Sequence, residues 1–144
     1  MIQEDLNEGL KKFQVKSFDY VILSKTLEYI ADPVYLIKEM LRVGRKCIIS
    51  FENIANWKNR LIFMFTGTLK REYTDNYNLN YGKKIQILSI KKFLNVCDYF
   101  KINMINIFNI PSKKYNLTRI FPNLFSKIAI FILQDNKSIN KNKV

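Results

Sequence analysis

The sequence predicts an α/β domain built on a parallel sheet, and three observations carry that reading. Phe18 to Ser24 is a nearly continuous apolar run, the pattern of a strand buried on both faces. Asp32-Pro33 then opens an amphipathic helix. Lys46 to Phe51 repeats the buried-strand pattern. Strand, helix and strand with short joints make a βαβ unit, whose strands are parallel and whose crossover is right-handed.

Each element has its own signals. Asp32 is the N-cap of the first helix and Pro33 its first residue. Val34, Ile37 and Leu41 form its apolar stripe, widened by Met40. Gly44 is expected to end it as a left-handed residue. Residues 55–66, with Trp57, Leu61, Ile62, Met64 and Phe65, predict a second helix stopped by Gly67. Residues 68–86 are polar and rich in Asn and Tyr, a long loop or lid of the kind that is usually functional or mobile. Within it Tyr73, Tyr77 and Tyr81 read as packed tyrosines of a solvated loop before they read as a partner groove. Ser89 caps a helix bearing Ile90, Phe93, Leu94 and Cys97. Ile102 to Ile110 alternates imperfectly and predicts a strand; Pro111 to Pro122 is a connection; Ser126 to Leu133 is the last strand. Residues 135–144 are a polar tail expected to be disordered, which puts the domain at residues 1–134.

Composition narrows the function classes. At 144 residues, 48% of them hydrophobic, the chain is long enough for one cored domain and no more. Its formal charge is +12, and residues 51–144 carry about +11 of it. The lysines are scattered pairs such as Lys83-Lys84 and Lys91-Lys92, not an arginine-laced stripe, so nucleic-acid binding is not expected. There is no histidine, which removes His-based triads and His metal sites. Cys47 and Cys97 fall in apolar periodic segments and read as buried thiols of a cytoplasmic protein. The longest apolar run, Leu61 to Phe65, is too short to span a bilayer, and no signal peptide follows Met1.

Several segments carry a family likeness. Asp5-Leu6-Asn7-Glu8-Gly9-Leu10 resembles the "DLDEGL" segment of the methionine-biosynthesis MetW family. Ser17 to Leu27 resembles that family's "SFDYVILSQTLQ", and Glu39-Met40-Leu41-Arg42-Val43-Gly44-Arg45 matches its "EMLRVGR". Ile49-Ser50-Phe51-Glu52-Asn53 is similar to "VSFPN", and Ile85 to Cys97 to "IHLCTIRDFEDLC". The resemblance implies a partial Rossmann-like sheet of the class I methyltransferase type, with S-adenosylmethionine as the implied cofactor. It also implies a role in methionine biosynthesis, in support of the homoserine O-acyltransferase step, with that acyltransferase as partner.

The departures from the family shape the expectation. Family members open with a strand, a glycine-rich loop, a helix and a second strand ending in an acidic residue, and this sequence has no counterpart of them. The loop supplies backbone N–H groups to the cofactor and the acid holds its ribose. By resemblance the surviving wall is Asp5 for the adenine amine, Leu6 beside the ring, and Ser24 and Lys25 at the strand end. No catalytic residue and no metal ligand is assigned. Taken singly, Asp5 reads as a loop acid or helix cap, Ser24 as a strand-end hydrogen-bonding group, and Trp57 as core or interface packing. Glu52 and Gln86 stand where the family has proline and histidine.

Without the loop, the chain is not expected to catalyse methyl transfer alone, since each lost charge-assisted bond forfeits about 1.5–3 kcal/mol. A truncated chain also leaves the strand at 18–24 on the sheet edge, long, apolar and free of Pro and Lys. That edge is expected to meet a second copy in a homodimer, or a separately supplied N-terminal half; a start placed too late or a frameshift would give the same sequence. Two further readings stay open. One is half of a split S-adenosylmethionine-dependent methyltransferase. The other is a basic interaction module acting through residues 58–119.

Overall fold

A computed structural model describes Leu6 and residues 10–68, 86–111 and 116–135. Asp5, most of the polar segment with its three tyrosines, and the tail from residue 136 lie outside the described residues.

The elements run β1 (Phe18–Ser24), α1 (Pro33–Val43), β2 (Gly44–Glu52), α2 (Trp57–Thr66), α3 (Ile90–Tyr99), β3 (Asn103–Pro111), α4 (Pro122–Phe125) and β4 (Ser126–Gln134). The sheet order is β1-β2-β4-β3. β1 and β2 are parallel, with Val21 opposite Cys47 and Leu23 opposite Ile49, as the βαβ reading requires. The last strand enters between β2 and β3 and is antiparallel to both.

The helix ends follow the sequence closely. Asp32 caps α1 by accepting from the Tyr35 N–H, Asn56 caps α2, and Ser89 caps α3 by accepting from the Lys92 N–H. Gly67 closes α2 at φ 65°, a left-handed position suited to glycine. Gly44 departs from expectation: its φ is −98°, and the chain passes directly from α1 into β2. Its lack of a side chain serves packing instead, because a Cβ there would sit 2.6 Å from Cγ2 of Val21. The expected plain connection before β4 holds a 3-10 turn at Asn116–Arg119 and the short α4, which opens with Pro122.

One face of the sheet is the core. Leu23 of β1, Cys47, Ile49 and Phe51 of β2, and Ala129, Phe131 and Leu133 of β4 point to it. Leu36, Ile37 and Met40 of α1 and Ile90, Phe93 and Cys97 of α3 cover it. Phe51, Phe93 and Phe131 form a ring cluster with centroids 4.5–5.4 Å apart. Arg42 ties the leading segment down by donating to the carbonyls of Phe13 and Leu10. Its hydrogen bond to Glu39 also holds that carboxyl below its ordinary range.

The opposite face is open. Tyr20 and Ile22 of β1 and Phe108 and Ile110 of β3 are exposed, and Ile48, Ile130 and Ile132 between them are half-buried. β1 is therefore buried on one face only, not on both. Its sequence is as apolar as that of a central strand, yet it lies at an edge of the sheet.

Candidate functional site

The carboxyl ends of β1 and β2 lie side by side, where open parallel sheets place their ligands. Ser24 ends β1 and Ser50 sits opposite it, its Oγ donating to Ser24 Oγ at 3.2 Å. The hydroxyl of Thr26 donates to the Ser24 carbonyl at 2.8 Å. Lys25 turns the chain out of the strand at φ 50°, a conformation that strains a residue with a side chain. Its backbone N–H donates to the Ser50 carbonyl at 2.9 Å, and its Nζ lies 3.5 Å from Oε1 of Glu52.

Two further groups join this end. Glu28, on the 3-10 turn Leu27–Tyr29, accepts from the Glu52 N–H at 3.1 Å. Gln86 donates its backbone N–H to the Glu28 carbonyl at 2.8 Å and its side-chain amide to the Ile30 carbonyl at 3.3 Å. The result is a polar wall with one ammonium and two carboxylates. Glu52 Oε1 is buried and makes no hydrogen bond, so the Lys25 ion pair is its compensation.

Behind the wall stands a buried amide pair. Asn53 Nδ2 donates to the carbonyls of Asn123 and Ser126 at 2.9 and 3.0 Å. Its Oδ1 accepts from the N–H groups of Ala55 and Ile90 at 3.3 and 3.4 Å. Asn56 Nδ2 donates to the same Ser126 carbonyl at 3.1 Å. These bonds fix the exit of β2 against the start of α3 and the entry of β4.

Of the residues proposed from sequence, Ser24 and Lys25 come together here. Leu6 is half-buried and packs on the core cluster, and Asp5 lies outside the described residues. Glu28 and Asn56 carried no signal in the sequence beyond being polar near strand ends, and Asn53 entered only as the last residue of the segment similar to "VSFPN", with no role assigned. Among the described residues no group of acidic, cysteine or histidine side chains could hold a metal ion. No described helix is long and apolar enough to cross a membrane. The cysteines are buried, and burial pushes the Cys47 thiol up to about 12 and that of Cys97 to about 11.

Among the described residues the wall offers an S-adenosylmethionine molecule one side only. Ser24, Lys25 and the carboxylates offer polar partners on one side. The four glycines of the 144 residues, Gly9, Gly44, Gly67 and Gly82, are widely spaced in the sequence and make no glycine-rich motif.

This sheet, with its reversed last strand and polar carboxyl end, defines an α/β protein of the methyltransferase type. A SAM-dependent methyltransferase of Thermotoga maritima superposes with a TM-score of 0.52 at 10% identity, over 85% of this chain and 57% of that one. A chain from the complex between the Haloferax volcanii Trm112 methyltransferase activator and its candidate methyltransferase superposes at 0.51 and 11%, over 85% and 56%. At such identity the likeness establishes the fold alone. The family model of the methionine biosynthesis protein MetW matches residues 1–133, and the chain belongs to that family. A relative in Rhodopirellula baltica, the bifunctional methionine biosynthesis protein MetXA/MetW, is 54% identical over 55 residues, which are 38% of this chain and 9% of that protein. The chain thus spans a small part of that relative and less than two thirds of either solved structure.

Proposed function

We propose that this protein acts in methionine biosynthesis as a partner of homoserine O-acyltransferase, supporting the acyl-transfer step by contact and not by chemistry of its own. Membership of the MetW family supports the pathway. The observation that carries the partnership is the relative whose name joins MetXA and MetW in one polypeptide. Fusing two modules raises the effective concentration of each for the other to the millimolar range, which is useful only if they meet. The surface is suited to contact as well. Leu61, Met64 and Phe65, at helical spacing on α2, are all exposed.

Affinity purification of the tagged chain from its own cells tests the reading. Homoserine O-acyltransferase is expected as a stoichiometric companion that Met64→Asp and Phe65→Asp weaken. Loss of the companion at high salt with no effect of these variants would favour the basic interaction module instead.

A further inference from the structure

A cleft of about 400 Å³ lies at the opposite end of the sheet from Ser24 and Lys25. The last turns of α1, the turn after α3, and the paired residues Asn103 and Gln134 of β3 and β4 bound it. That volume falls in the range of small-molecule sites. Leu41, Phe100 and Ile102 give it apolar lining. Four cations, Lys16, Lys38, Arg42 and Lys101, line it against one carboxylate, Asp135.

The fold itself accounts for two of those cations. Lys16 Nζ donates to the carbonyls of Leu41 and Gly44 at 2.6 and 3.0 Å and lies 3.5 Å from Asp135. Arg42 is held by Glu39 and by the carbonyls of Phe13 and Leu10. Lys38 and Lys101 are placed differently. The Lys38 ammonium reaches from α1 to the end of α3, 4.9 Å from the centroid of the Phe100 ring. Lys101 stands where a helix ordinarily turns on glycine. The Ile102 N–H donates to the Cys97 carbonyl at 2.8 Å and the Lys101 N–H to that of Asp98 at 3.1 Å, the bond pair of a Schellman turn. Lys101 holds its left-handed position at φ 54°, which glycine would hold without strain. Ending α3 therefore does not account for a lysine here. Its ammonium is 3.8 Å from Asp98, with side chains 81% and 87% exposed, a contact that solvent screens.

We infer that this cleft binds a small organic anion, a molecule with one carboxylate or phosphate group on a short apolar chain. Lys38 and Lys101 share the anionic group, and the apolar chain lies on Phe100, Leu41 and Ile102. The side-chain amides of Asn103 and Gln134 are further donors on the same lining. The inference rests neither on the polar wall nor on the acyltransferase partnership, so either can fail without it.

Titration of hexanoate and of hexyl phosphate into the isotope-labelled full chain, followed by amide NMR shifts, tests it. Hexanol, hexylamine and inorganic phosphate are the controls. One or both of the hexyl anions should give saturable shifts at Lys38, at residues 101–103 and at Gln134, and the tighter of the two identifies the anionic group. The three controls should bind at least roughly tenfold more weakly. Lys38→Gln and Lys101→Asn should each weaken the anion roughly tenfold, while Lys91→Gln on α3 leaves it unchanged. Both lysines are exposed, and asparagine accepts the left-handed backbone, so unchanged shifts elsewhere check that the variants fold. Hexanol or hexylamine binding as tightly as the anions would overturn the inference. So would inorganic phosphate matching hexyl phosphate, shifts that fail to saturate at tens of millimolar, or binding that neither lysine variant alters.

Discussion

Lys25 and Glu52 face each other across the ends of two parallel strands, Nζ 3.5 Å from Oε1, with Lys25 held at φ 50°. The pair is partly exposed, which limits the attraction to about 0–1 kcal/mol. The left-handed backbone costs about 1–2 kcal/mol in any residue with a Cβ. Lys25→Ala should therefore destabilise the fold, since it keeps the strain and leaves Glu52 Oε1 without compensation. Lys25→Gly should be more stable than Lys25→Ala by about 1 kcal/mol in urea melts. Equal midpoints would show that no strain is stored there.

Asn53 is the most connected side chain at this end, with four hydrogen bonds and 1% exposure. Asn53→Ala strips partners from buried backbone groups on three segments. The expected loss is about 2–4 kcal/mol, by denaturant unfolding. A loss under roughly 1 kcal/mol would mean that water replaces the amide without penalty.

Gly44→Ala would place a methyl group 2.6 Å from Val21 Cγ2, between α1 and the sheet edge. Overpacking of this kind costs about 1–3 kcal/mol. Val21→Ala in the same chain should recover part of it, a coupling that a double-mutant cycle reads directly.

The cysteines make stability fall in alkali. Their ordinary value is 9.0, and burial raises Cys47 to about 12 and Cys97 to about 11. Below pH 9 both folded and unfolded thiols are protonated, and the burial contributes fully. Above it the unfolded chain loses protons that the folded chain retains, so stability declines until the folded thiols titrate. Cys47→Ala should flatten that decline. At pH 8 the native thiols should react with an aromatic disulfide far more slowly than the urea-unfolded chain does.

Much of the fold was legible because its signals are local. Asp32-Pro33, Ser89 and Gly67 announce helix ends through their own chemistry, and the runs at β1 and β2 announce strands, although only β2 is as buried as its run suggests. Gly44 misled because a glycine after a helix ordinarily closes it, whereas here close packing against Val21 sets the residue. The exposure of β1 was invisible in its composition, since edge position is a property of the whole sheet. Ser24 and Lys25 were singled out by family likeness. Glu28 was not, because its link to Glu52 is a tertiary contact across 24 residues of chain. The register of β4 between β2 and β3 likewise depends on long-range pairing that no local pattern encodes.

S-adenosylhomocysteine titrated into the isolated chain should give no heat up to millimolar concentration, because the polar wall has no opposing side among the described residues. Micromolar binding would show that Ser24, Lys25 and their neighbours suffice.

The most direct test of the account is the rate of homoserine O-acylation by the purified acyltransferase of the same organism, with and without this chain. The account predicts a saturable complex and an increase in kcat/KM that levels off at one chain per acyltransferase subunit. An unchanged rate together with no complex at tens of micromolar protein would contradict the proposed function.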